Sequence, residues 1–313
     1  MLSGLMLYTL CLPRLMASQA IPDQYPNSAL YSKPVEVIPH VWSAIGATAP
    51  PTYENSGHNN NLSFIVTGEG VVVINGGASY LLAKALHHEI KQITDQPVVY
   101  VINENAQGHA MLGNSYWADQ KVAILAHDSA VQEWEKHGAE ALARSKRILK
   151  EKSEHTKVVQ PSESFTDKKI IKLGDFSIEA LWLGLAHSPG DVVVHLPEQK
   201  LVIAGDMAFH ERLLPIMSDT QTAEWLESWQ RFEDLDAVYV IPGHGHPTNI
   251  AQVRRYTRDY LIFLRTEIGQ ILEDGGDLQD AYELDQSAFA HLDTFKELAA
   301  QNAGRVFEAM EFE

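Results

Sequence analysis

Leu181-Trp182-Leu183-Gly184-Leu185-Ala186-His187-Ser188-Pro189-Gly190-Asp191-Val192-Val193-Val194-His195-Leu196-Pro197, continuing to Ile203-Ala204-Gly205-Asp206, is the stretch on which the fold turns. Two apolar runs of strand length flank a Pro-Gly turn, so His187 and Asp206 each stand at a strand end where a loop begins. Farther on, Val238-Tyr239-Val240-Ile241-Pro242-Gly243-His244-Gly245-His246 repeats the arrangement, an apolar strand entering a glycine-punctuated turn that carries histidine. Polar residues on loops held by a strand scaffold are where chemistry usually sits. An imidazole, a carboxylate and a second imidazole at the tips of buried strands are a set that can hold a metal ion.

The three blocks, His187 to Asp191, Ala204-Gly205-Asp206 and Pro242-Gly243-His244-Gly245, resemble in order and spacing the H-[ST]-P-G-D, A-G-D and P-G-H-G motifs of the metallo-β-lactamase superfamily. The resemblance runs from about Val35 to the C-terminus. Gly205-Asp206-Met207-Ala208-Phe209-His210-Glu211-Arg212-Leu213-Leu214-Pro215, and the ending Gln301 to Glu308, are similar to its sulfur-oxidation and quinoprotein-associated hydrolase branch. This implies an α/β fold, an αββα four-layer sandwich with one or two metals at the sheet edges. We expect a single domain over 21–313 with a C-terminal helical extension. A fold does not supply a substrate.

At 313 residues and 45% hydrophobic content the chain can bury a sizeable core. Lys and Arg total 24 against 41 Asp and Glu, a net charge of −17, which argues against nucleic acid or an anionic membrane surface as partner; solubility alone accounts for the acidity. Residues 1–20 contain an apolar run too short for a stable membrane anchor, ending at Ser18-Gln19-Ala20, small residues placed as a signal peptidase requires. We expect a secretory signal cleaved after Ala20 and a periplasmic or secreted protein that has left the membrane. Arg14 follows the apolar run instead of preceding it, so a disordered N-terminus is the alternative reading. Cys11, the single cysteine, lies inside this segment, so the mature chain holds any metal through nitrogen and oxygen.

Val35 to Trp42 alternates like a strand; Leu62 to Val66 and Val71 to Ile74 are strands joined by Gly68-Glu69-Gly70. His58, in the loop from Asn55 to Asn61, is expected to be solvated. Ser79 to Thr94 has apolar residues at helical spacing with Ser79 as N-cap, leaving His87 and His88 on the polar face. Val98 to Ile102 reads as a buried strand, Ser129 to His155 as a peripheral helix able to cover the site mouth, Lys169 to Leu183 as two strands. Thr222 to Leu235, Ile250 to Leu272 and Phe289 to Met310 read as helices.

After Ile102 the sequence departs from its family. The superfamily turn reads H-x-H-x-D-H before G-N. Anchoring on Gly113-Asn114 puts Asn105 and Gln107 at the two leading histidines, His109 at the aspartate and Ala110 at the last histidine. The first metal site would keep only His187, and neutral amides compete poorly with water for zinc. The second would combine His109, Asp206 and His244, enough for one divalent ion, zinc or iron. A slipped loop would instead bring His109 to the lost histidine position with similar chemistry. Asn75 stands where the family commonly has a supporting aspartate, and a decayed, inactive member would show the same change. His210 and His246 read as supporting or surface residues.

The expected function is a single-metal hydrolase of a small ester, thioester or amide, with His187, Asn105 and Gln107 as hydrogen-bond donors on the substrate side. The alternatives are a catalytically inactive small-molecule-binding protein, and redox chemistry at one iron.

Overall fold

The computed structural model describes residues 30–313; the expected signal segment, its cleavage point and Cys11 lie outside the described residues. Seven strands form the first sheet in sequence order: β1 (Val35–Ile38), β2 (Val41–Ala44), β3 (Leu62–Val66), β4 (Val71–Ile74), β5 (Val98–Ile102), β6 (Ala123–His127) and β7 (Glu163–Phe165). The second sheet has the order β12-β11-β10-β9-β8, with β8 at Lys168–Leu173, β9 at Phe176–Trp182, β10 at Val192–Leu196, β11 at Leu201–Phe209 and β12 at Tyr239–His244.

Side-chain alternation along the strands sorts the layers. In β4, Val72 and Ile74 face the second sheet and pack with Ile178, Val194 and Ile203. Val71 and Val73 face the other way, against Leu82 and Leu86 of α1 (Tyr80–Ile93) and Trp117 of α3 (Asn114–Asp119). On β10 and β11, Val193, Val202 and Ala204 face the outer helices, meeting Trp225 and Trp229 of α5 (Thr222–Glu233), Val253 of α6 (Ile250–Tyr256), Leu264 of α7 (Arg258–Glu273) and Val306 of α9 (Phe295–Met310). The result is helix, sheet, sheet, helix, the four-layer sandwich expected from the sequence. The remaining helices are α2 (Gly108–Met111), α4 (Asp128–Leu149) and α8 (Leu278–Tyr282). No helix among the described residues is long and apolar enough to cross a membrane.

Several expectations need correction. Val35 to Trp42 is not one strand: His40, with φ of +73°, turns the chain so that β1 and β2 pair antiparallel. The helix expected from Ile250 to Leu272 breaks at Thr257, which is fully buried; its Oγ1 accepts from Phe209 N–H at 2.9 Å, tying the break to the end of β11. His87 is not on the surface; Nδ1 meets the Tyr116 hydroxyl at 2.7 Å, and the ring leans on Trp117. His58 is fully buried, accepting Tyr31 N–H at Nδ1 (2.9 Å) while Nε2 faces Ala44 O (3.2 Å). The last helix begins only at Phe295. α4 does run along the site mouth, held there by buried Trp134 packed with Met111 and Ala126.

Candidate metal centre

The segment after β5 carries no histidine until His109, in α2. Asn103 and Asn114 exchange side-chain hydrogen bonds of 3.1 and 2.8 Å, and Gly113 N–H donates to Gly77 O at 2.6 Å, pinning this segment to the turn after β4. Asp206 is presented by an irregularity in β11, where the pairing with β12 shifts on both sides of Gly205. Gly205 has φ of +54°, and a Cβ there would lie 2.1 Å from Glu104 Oε2, so conformation and contact both require glycine. His244 ends β12. Asn61, at the foot of β3, clamps that turn by donating Nδ2 to Pro242 O (2.8 Å) and Gly245 O (2.7 Å).

Asp206 is the centre. His244 Nε2 lies 3.2 Å from its Oδ1, and His109 Nε2 and His187 Nε2 lie 3.7 and 3.9 Å from its Oδ2. His109, Asp206 and His244 each offer one donor atom within 4.8 Å of the others. His244 Nδ1 donates to Asn59 O at 2.5 Å, which leaves Nε2 as the lone-pair nitrogen facing Asp206. Arg212, buried, brings Nη1 to 3.4 Å from the same ring.

Charge follows geometry. Burial opposes ionisation of Asp206, yet the His109 ring beside it holds its carboxyl well below the usual range. Burial, then Arg212, pushes His244 down to about 4, so it is neutral at neutral pH, the form that binds metals. Burial also lowers His187. His109 moves up, because Asp206 and Glu104 outweigh its burial. Burial raises Asp191 and Glu104, and Asp206 adds to both.

Two imidazoles and one carboxylate fit a single divalent ion, and Asp206 Oδ1 is buried with no hydrogen bond of its own. A three-imidazole site does not fit. Gln107 Nε2 lies 2.7 Å from His187 Nε2, so these two groups engage each other. Asn105 is fully buried and saturated: Nδ2 donates to Asp206 Oδ2 (3.0 Å) and Asp191 Oδ1 (3.2 Å), and Oδ1 accepts Gln107 N–H (2.9 Å). The expected place of Asn105 on the substrate side is therefore corrected; it braces two acids from behind.

Sequence reasoning missed Glu104, Arg212, Asn59 and Asn61, and quoted Asp191 without a task. Glu104 had a usable signal, a charge two residues past the apolar run Val98 to Ile102, whereas Arg212 lies three residues past β11 and had none. Asn59 and Asn61 had none, because their partners lie far along the chain. His210 Nδ1 faces His246 O (2.9 Å) and His246 pairs with Glu211 (2.7 Å), both outside the donor set.

A cavity of about 230 Å³ opens beside His109, lined by Pro51, Asn59, Ala78, Leu112, Ile148 and Leu149. A second, of about 490 Å³, opens beside His187 and is bordered by Glu133, His137, Glu140, Met217 and Asp219. Gln107, Gly108 and, from α4, Ala141 and Arg144 line both.

Two solved structures share the fold of this chain. A metallo-beta-lactamase from Pontibacter korlensis gives a TM-score of 0.57 at 20% identity over 71% of this chain and 94% of its own. TMB-1 gives 0.57 at 15% identity over 72% and 94%. The chain has the metallo-beta-lactamase fold. At the level of sequence, the model of that superfamily matches residues 112–244, a span that contains His187, Asp206 and His244 and begins after Ala110. A metallo-beta-lactamase type 2 from Bacteroides fragilis is 28% identical over 89 residues, 27% of this chain. The match spans 36% of that relative's length. The superfamily match covers less than half of the chain, and the chain spans about a third of the length of this relative.

Proposed function

We propose that this chain is a metallo-beta-lactamase-fold hydrolase with one divalent metal, held by His109, Asp206 and His244, that acts on a small ester, thioester or amide. The observation that carries the reading is the asymmetry of the site: one nitrogen and oxygen donor set converges within 4.8 Å, while at the other position Gln107 and His187 are 2.7 Å apart and occupy each other. When bound, a divalent ion supplies Lewis acidity, polarising a carbonyl and making a water nucleophilic near neutral pH. Zinc suits the donor set, and iron(II) is the other candidate.

The chain's own residues do the rest. Asn105 holds Asp206 in place, and Asn59 fixes the tautomer of His244. Gln107, at the junction of the two cavities, presents an amide to a substrate carbonyl, with neutral His187 behind it. The apolar lining beside His109 suits an acyl group, and the wider polar cavity beside His187 suits a leaving group. A panel of activated esters, thioesters and amides, assayed on metal-stripped and metal-reloaded protein, tests this. Hydrolysis that returns with the ion is expected; no turnover in either form contradicts it.

A second reading, a small-molecule-binding protein without catalysis, is favoured by the pairing of His109 with Glu104 at 3.1 Å, which already satisfies that ring without an ion. The wording around Gly205 to Pro215 supports a place in the sulfur-oxidation and quinoprotein-associated branch, and with it export to the periplasm. Mass spectrometry of the mature N-terminus tests the export.

A further inference from the structure

Glu104 has no task in the reading above. It is 2% exposed, its Oε1 lies 3.1 Å from His109 Nε2, and its Oε2 is buried with no hydrogen-bond partner. The same ring nitrogen lies 3.7 Å from Asp206 Oδ2, so His109 Nε2 stands between two carboxylates. Both separations are of the size that divides neighbouring ligand atoms around one ion, given metal–ligand bonds of about 2 Å; Glu104 itself stands outside the three residues whose donors lie within 4.8 Å of one another and adjoins them through His109.

The backbone at Glu104 is fixed from both sheets. Its N–H donates to Asn75 Oδ1 at 3.0 Å, just past β4, and its carbonyl accepts Val192 N–H at 2.8 Å, at the start of β10. The side chain presses on Gly205, the residue before Asp206, which is glycine where any Cβ would collide with Glu104 Oε2. Two sheets and a glycine thus hold a carboxylate against His109, at the edge of the donor set. As a structural element it is a poor choice, since burying an oxygen without a partner destabilises the fold, and a glutamine of the same shape would avoid the charge.

We infer that Glu104 is a second anionic donor of the metal centre, facing the ion beside His109 and Asp206, so that the site comprises two imidazoles and two carboxylates. This rests on the single-metal reading and deepens it. Two carboxylates balance the charge of one divalent cation, and an oxygen-rich set favours zinc, iron(II) or manganese(II) over soft ions that seek sulfur.

The test compares parent, Glu104→Gln and Glu104→Asp, with cobalt(II) and zinc titrated into metal-stripped protein. Three quantities are read: affinity against a chromophoric chelator, the cobalt absorption spectrum, and Tm without metal. We expect Glu104→Gln to bind about 10- to 100-fold more weakly, with an altered cobalt spectrum and a metal-free Tm equal to or above the parent's. Glu104→Asp, which keeps the charge, should recover part of the affinity, and it carries the test if Glu104→Gln does not fold. A parent that binds one ion beside a Glu104→Gln variant of equal affinity and spectrum overturns this inference alone. So does a metal-free Tm that drops with affinity unchanged, the mark of a purely structural side chain. A parent that takes up no ion overturns the single-metal reading as well.

Discussion

Asn105 donates one amide nitrogen to two buried carboxylates, Asp206 Oδ2 at 3.0 Å and Asp191 Oδ1 at 3.2 Å. The amide is therefore a brace between acids that would otherwise repel. Asn105→Ala leaves both short of a donor and should cost about 1–3 kcal/mol, read as a lower Tm in metal-free protein. An unchanged Tm would mean that water replaces the amide without cost.

Asp206 and His187 should separate cleanly. Asp206→Asn removes the anion shared by every imidazole in the site, and metal content should fall by more than about 10-fold. His187→Ala removes a ring already engaged by Gln107, so hydrolysis should change more than metal content. Elemental analysis beside an ester assay reads both. Equal metal loss in the two variants would place His187 among the ligands.

Hydrolysis of a chromogenic β-lactam should be weak or absent, because His187 is already engaged by Gln107 at 2.7 Å and no other imidazole joins it in a second donor set among the described residues. Turnover near about 10 per second, ordinary for enzymes, would contradict this.

Acid should destabilise the protein through buried rings. Burial pushes His58 and His87 down to about 4, against 6.5 for a free imidazole. A ring whose folded pKa is depressed contributes stability that is complete above about 6.5 and is lost as pH falls toward about 4, since the unfolded ring accepts a proton that the folded one refuses. For fully buried His58 the loss is on the order of 3 kcal/mol. His58→Gln should flatten the Tm profile across that window. A profile parallel to the parent's would assign the acid sensitivity elsewhere.

The fold was legible where residues act along their own strand or helix. Val71 to Ile74 alternates between layers, Ser79 caps α1 by accepting Leu82 N–H, and His187, Asp206 and His244 end apolar runs punctuated by glycine. What escaped the sequence depends on distant partners. His58 is buried because Tyr31 and Ala44 supply partners for both its nitrogens. Thr257 interrupts a continuous helical pattern, without Pro or Gly, because its hydroxyl bonds the end of β11. Asn105 reads as a substrate-facing amide in the sequence because the two acids that accept its hydrogen bonds, Asp191 and Asp206, lie 86 and 101 residues farther along. Arg212 shows its place only once His244 folds against it.

With Gln107 and His187 engaging each other, one metal position is expected, the one formed by His109, Asp206 and His244. Elemental analysis of the parent, purified without added metal and again after reloading with zinc, tests it most directly. We predict one equivalent per chain and no second equivalent at excess zinc. Two tightly held equivalents would show that Asn105 and Gln107 do support a second ion, and none after reloading would show that His109, Asp206 and His244 do not form a metal site.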